Sequence, residues 1–121
     1  MAKVKVTFIV QHTAIHRIFR EPFELDLDDR GTILDAIRLV DEEILKKTGK
    51  FPVEGYKSLL HMVYHPFENR FYNQVAIQGY LKPGSFLNVR ENPKKPLPNN
   101  VTIMLVPEGP CSSEGEEIID W

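Results

Sequence analysis

The chain has 121 residues, 42% of them hydrophobic and 26% charged, with a net charge of −2 from 15 Lys+Arg against 17 Asp+Glu. That length can bury a core without disulfides or metals, and the lack of a basic excess argues against a nucleic-acid partner. Cys111 is the single cysteine, which excludes an internal disulfide and a four-cysteine iron–sulfur cluster held by this chain alone, and fits a reducing compartment.

The first residues, MAKVKVTFIVQH, hold an apolar run too short for a signal-peptide core. No stretch approaches the ~20 apolar residues that cross a membrane. These features predict a cytoplasmic protein with no membrane partner. Val4, Val6, Phe8 and Val10 alternate with Lys3, Lys5, Thr7 and Ile9, the period of a half-buried strand. Phe23, Leu25 and Leu27 alternate with Glu24, Asp26 and Asp28, a second strand with an acidic outer face. QHTAIHRIFREP between them reads as a long hairpin connection or a strand extension.

The clearest element follows. Thr32 is a good N-cap with Asp35 three residues on. Ile33, Ala36, Ile37, Val40 and Ile44 recur at helical spacing, Glu42 and Glu43 precede Lys46 and Lys47 by four, and Gly49 stops the run. The spacing predicts a helix over 32–48. LLHMVYH (59–65) and RFYNQVAIQGY (70–80), separated by the turn PFEN, are preferred as a hairpin. A short helix at 56–65, stopped by Pro66, is the alternative. Lys82-Pro83-Gly84 is a turn, FLNVR (86–90) a short strand, NPKKPLPNN a loop, and VTIMLV (101–106) a strand apolar on both faces, as in the depth of a sheet. CSSEGEEIIDW (111–121) predicts a flexible acidic tail with an apolar end.

Hairpin, crossing helix and a late buried strand resemble the ubiquitin-like β-grasp arrangement. The segment FLNVRENPKKPLPNNVTIMLVP is more specific. It resembles the closing segment of the molybdopterin-synthase small subunit and the thiamine sulfur carrier. Asn88 stands at the family's strand-end asparagine, Leu97 at the leucine before the turn, Asn99-Asn100 at the turn, and Pro107 after the last strand. Val89 replaces the usual glycine, the terminal Gly-Gly would fall near Cys111-Ser112, and about 51–84 is inserted relative to a minimal carrier. The resemblance implies an α+β fold, a mixed sheet with one main helix packed on one face, plus an inserted hairpin or short helix. It assigns 1–110 to a single β-grasp domain and implies a protein partner, either a larger enzyme subunit or an activating enzyme.

A sulfur carrier threads a terminal Gly-Gly, free of side chains, into a partner's active site. Glu108-Gly109-Pro110-Cys111 does not suit that task, because proline fixes φ and cysteine adds bulk. The acids Glu114, Glu116 and Glu117 disfavour a Cys111 thiolate, so a catalytic nucleophile is not expected. The four histidines fall into two equal spacings, HTAIH (12–16) and HMVYH (61–65). A zinc site would need the two pairs to meet, or a third ligand such as Glu68 or Cys111. The competing reading places His61 and His65 on an exposed strand face and His12 and His16 in a solvated loop. EEIIDW has the make-up of a docking peptide.

These observations predict a non-enzymatic β-grasp protein without a cofactor, acting as a small accessory subunit of a larger enzyme complex. Gly109, Pro110, Cys111, Ile118, Ile119 and Trp121 are the candidate partner-binding residues. The alternatives are a sulfur carrier or modifier activated after C-terminal trimming, and a metal-binding domain using the paired histidines.

Overall fold

A computed structural model of the chain describes residues 3–82, 84–107 and 118–119. Lys3–Val10 (β1) and Phe23–Asp28 (β2) form an antiparallel pair that sets Val4 opposite Leu27, Val6 opposite Leu25 and Phe8 opposite Phe23. The period-two alternation turns these six apolar side chains to one face. The other face sets Lys3 and Lys5 opposite Asp28 and Asp26, so opposite charges compensate across the strands. The connection between β1 and β2, expected as a loop or strand extension, carries one helical turn, Thr13–His16 (α1). Two contacts account for it. His12 Nδ1 accepts the Ala14 N–H at 3.2 Å, and Ile15 is buried in the core.

Ile33–Thr48 (α2) begins in a reciprocal cap. Thr32 Oγ1 accepts the Asp35 N–H while the Asp35 carboxylate accepts the Thr32 N–H. It ends at Gly49, whose φ of 79° is left-handed. The stripe Ile33, Ala36, Ile37, Val40 and Ile44 is fully buried in one cluster with the apolar faces of β1 and β2.

Val101–Val106 (β7) runs parallel to β1 and antiparallel to Ala76–Lys82 (β5), which pairs with the short edge strand Ser85–Leu87 (β6). The result is an α+β fold, a five-stranded mixed sheet of order β2-β1-β7-β5-β6 with the main helix on one face. A local clip fixes where β7 enters. Asn99 Oδ1 accepts the Lys5 N–H, and the Asn100 N–H donates to the Lys5 carbonyl, both at 2.9 Å. Asn100 makes this turn at φ 64°, a conformation asparagine tolerates better than most residues.

The region 56–80 departs from the preferred hairpin reading. Leu59–Val63 (α3) is a short helix, as in the alternative, but it gives way to a two-residue strand, Tyr64–His65 (β3), paired with Arg70–Phe71 (β4). Capping supplies the reason. Ser58 Oγ accepts the His61 N–H at 3.0 Å, and the Asp41 carboxylate of α2 accepts the N–H groups of Leu59 at 2.6 Å and Leu60 at 3.2 Å. The stretch 70–80 is two strands, not one, because Tyr72 to Val75 form a turn whose carbonyls at both ends accept from the Arg90 guanidinium. FLNVR likewise leaves the sheet at Leu87, where Asn88 Oδ1 turns back to accept the Glu91 N–H. No helix among the described residues is long and apolar enough to cross a membrane.

Candidate functional site

Two surfaces stand out, and they lie on different parts of the fold. The first is the helix-free face of the sheet. Its residues follow from register. Thr102 of β7 lies between Thr7 and Tyr80, Met104 between Ile9 and Gln78, and Val106 beside Ala76. Tyr80 in turn pairs with Phe86 on β6, ring centroids 5.3 Å apart. This face is therefore divided. The β2 side carries Glu24, Asp26 and Asp28, while Ile9 of β1, Met104 and Val106 of β7, Tyr80 of β5 and Phe86 of β6 lie on the rest of the face together with Thr102 and Gln78. Phe86 is 70% exposed. Aromatic residues and methionine are the types enriched where proteins meet.

The second surface is a groove beside α3. Gly55, Tyr56, Lys57 and His61 line it, and Ile118 closes one side, leaving an open volume of about 430 Å3. His61 is held in place from two directions. Its Nδ1 accepts the Lys57 N–H at 3.1 Å, and its ring meets Tyr56 edge-on at 6.0 Å. Ile118 packs against the core, and the Ile119 N–H donates to Tyr72 Oη at 2.9 Å. Tyr72 is fully buried, so its hydroxyl is a fixed acceptor at the foot of this contact.

Asp41, 9% exposed, is the carboxylate that caps α3 from α2. Burial raises its pKa to about 6, against the lowering effect of the Leu59 and Leu60 N–H groups. Tyr64, edge-on to Phe71 at 5.3 Å, has its pKa raised by burial too.

Compared with models of known protein families, with curated proteins and with solved structures, the chain matches none.

Among the residues singled out from sequence, Ile118 lines the groove and the neighbouring Ile119 donates its N–H to Tyr72 Oη. Gly109, Pro110, Cys111 and Trp121 lie outside the described residues, and so do the docking and thiol readings made for them. The exposed reading of the histidines holds for His16 and fails for His61 and His65. His61 and His65 are buried, and three of the four serve the backbone. His12 Nδ1 caps α1, His61 Nδ1 takes the Lys57 N–H, and His65 Nδ1 takes the N–H groups of Phe67 and Glu68. With Nδ1 accepting, the hydrogen bonds assign the His65 ring proton to Nε2, which faces Glu68 Oε2 at 3.1 Å. Glu68 also pairs with Arg70 at 3.1 Å. Among the described residues, no group of three or more His, Cys, Asp or Glu side chains could hold a metal ion.

Asp41, Tyr72 and Phe86 escaped the sequence reading. Asp41 left a signal, because it falls four residues after Ile37 and three before Ile44, on the apolar stripe of α2. A carboxylate there must meet donors from another segment. Tyr72 and Phe86 sat in apolar strand-like runs that gave no hint of which face each would take.

Proposed function

We propose that this chain is a ubiquitin-like β-grasp protein that performs no chemistry itself and binds a larger enzyme as a small accessory subunit, through the helix-free face of its sheet. The β-grasp reading rests on the strand order β2-β1-β7-β5-β6, with the first and last strands parallel at the centre and α2 crossing one face. The binding reading rests on a mixed patch made by two neighbouring rows of that face, Ile9–Met104–Gln78 and Thr7–Thr102–Tyr80–Phe86, in which Ile9, Met104, Tyr80 and Phe86 are the large apolar and aromatic members. A sheet face carrying Phe86 at 70% exposure, with its acidic residues confined to β2, has the make-up of a protein contact whose apolar centre is bordered by charge.

The test uses three baits in native lysate: the full chain, the chain with Phe86→Asp and Met104→Lys, and the chain ending at Gly109. Circular dichroism first establishes that each bait folds. Capture of an enzyme by the full chain, lost in the double variant, is the expected result. Equal capture by those two removes the sheet face as the binding surface. Capture of an adenylate-forming enzyme by the trimmed bait alone overturns the accessory reading in favour of a carrier activated by trimming.

A further inference from the structure

We propose that the groove beside α3 is a docking site for a short acidic, apolar peptide, and that the Ile118–Ile119 segment of this chain is its resident occupant, exchangeable for a like peptide on a partner. The inference does not rest on the sheet face and would survive its failure.

Three observations carry it. First, the contact has the two elements of peptide recognition: an apolar side chain seated against the core and a main-chain N–H bonded to a fixed acceptor. Ile118 supplies the first, and the Ile119 N–H with Tyr72 Oη at 2.9 Å supplies the second. Second, charge is complementary. The isoleucine pair is flanked in sequence by Glu116, Glu117 and Asp120, and Lys57 lines the groove. Third, the described residues leave the groove partly open. About 430 Å3 stays open beside Ile118 and extends along Gly55, Tyr56 and Lys57. A longer or bulkier peptide could therefore bury more surface than the resident pair does.

Exchange follows from the smallness of the resident contact and its being intramolecular. Ten residues, 108–117, separate Pro107 from Ile118 in sequence, so the resident pair competes at an effective concentration rather than at the protein concentration. Such an intramolecular ligand excludes weak competitors and yields to a peptide that binds better. The groove would then report whether the correct partner peptide is present.

The experiment uses the full chain and a synthetic peptide of residues 112–121, SSEGEEIIDW, followed by amide chemical shifts. In the Ile118→Asp, Ile119→Asp variant the added peptide should shift Gly55, Lys57 and His61. The unaltered chain should need at least about tenfold more peptide for the same shift, because its own segment competes. A peptide with both isoleucines replaced by aspartate should shift nothing. Hydrogen exchange supplies an independent measurement. Tyr72→Phe keeps the ring and removes the acceptor, so the Ile119 amide should exchange at least about threefold faster than in the unaltered chain. Three results would overturn the proposal: no shifts in the double variant, equal affinity in variant and unaltered chain, or unchanged Ile119 exchange in Tyr72→Phe. Ile119 protection that rises with protein concentration would overturn it too, since the occupant would then come from a second copy.

Discussion

Replacing Asp41 by asparagine should remove part of the pH dependence of stability, and the size of the effect can be worked from the cap on α3. Asp41 is 9% exposed and accepts the Leu59 and Leu60 N–H groups. Those hydrogen bonds favour the carboxylate, while burial disfavours it. Burial wins, raising the pKa from 3.8 to about 6. A carboxyl whose folded pKa lies above its unfolded value favours folding when protonated. That contribution is fully present below the unfolded value of 3.8 and is lost as pH rises through about 6. The full shift is worth about 3 kcal/mol at 1.36 kcal/mol per unit, of which about 2 kcal/mol falls between pH 4 and pH 7. The asparagine amide cannot ionise, and its oxygen can still accept from Leu59. Urea unfolding followed by circular dichroism, at pH steps from 4 to 7, measures both chains. Asp41→Asn should gain about 2 kcal/mol relative to the unaltered chain across that range. A constant difference would mean that Asp41 does not titrate in this window. A difference of the opposite sign would mean that the two N–H bonds outweigh burial and hold the carboxylate below its ordinary range, which refutes the reasoning.

Two further outcomes bear on the fold. Ile37→Ala, in the fully buried stripe of α2, should cost ~2–5 kcal/mol in urea unfolding, and a loss under about half a kilocalorie would remove that helix from the core. Gly31→Ala should cost ~1–3 kcal/mol, because its new Cβ would stand 2.6 Å from Leu27 Cβ and the Gly31 carbonyl, which accepts the Leu97 N–H at 2.8 Å, would have to move; thermal unfolding that matches the unaltered chain would show that the turn before α2 has room.

How much of the fold was legible in the sequence depended on whether a signal was local. The α2 boundaries were, because Thr32, Asp35 and Gly49 act on backbone groups within one turn of themselves. So was the β1–β2 pairing, where both strands alternate cleanly. The segment 56–80 was not, because its structure is imposed from outside it. Asp41 makes Leu59 a helix start, and Arg90 makes Tyr72–Val75 a turn. Asp41 lies 18 residues from Leu59, and Arg90 lies 18 residues from Tyr72, so window-based periodicity could not register either. The histidine spacings misled for a related reason. HMVYH straddles a helix end and a strand, so neither the helical nor the extended four-residue rule applied to it.

The apolar outer residues of β7 carry the remaining lesson, and it bears on function. VTIMLV reads as a strand buried on both faces, and its position at the sheet centre between β1 and β5 agrees with that. Burial does not. Val101, Ile103 and Leu105 are fully buried on the α2 side, but Thr102, Met104 and Val106 on the other face are only partly covered. A central strand of a sheet with one wet face would ordinarily alternate apolar with polar. Here β2 obeys that rule with Glu24, Asp26 and Asp28, and β7 obeys it at Thr102 but breaks it at Met104 and Val106. Folding alone gives no reason for the difference, since the opposite face of both strands is buried in the same core. Ile9, Met104, Val106, Tyr80 and Phe86 thus share the face with Thr102 and Gln78, next to the acidic surface of β2, and the proposed contact rests on that mixed patch. The groove beside α3 holds a different apolar contact, Ile118 against the core, away from this face. Thus one chain carries two separate surfaces, one open and one already occupied by its own C-terminal residues.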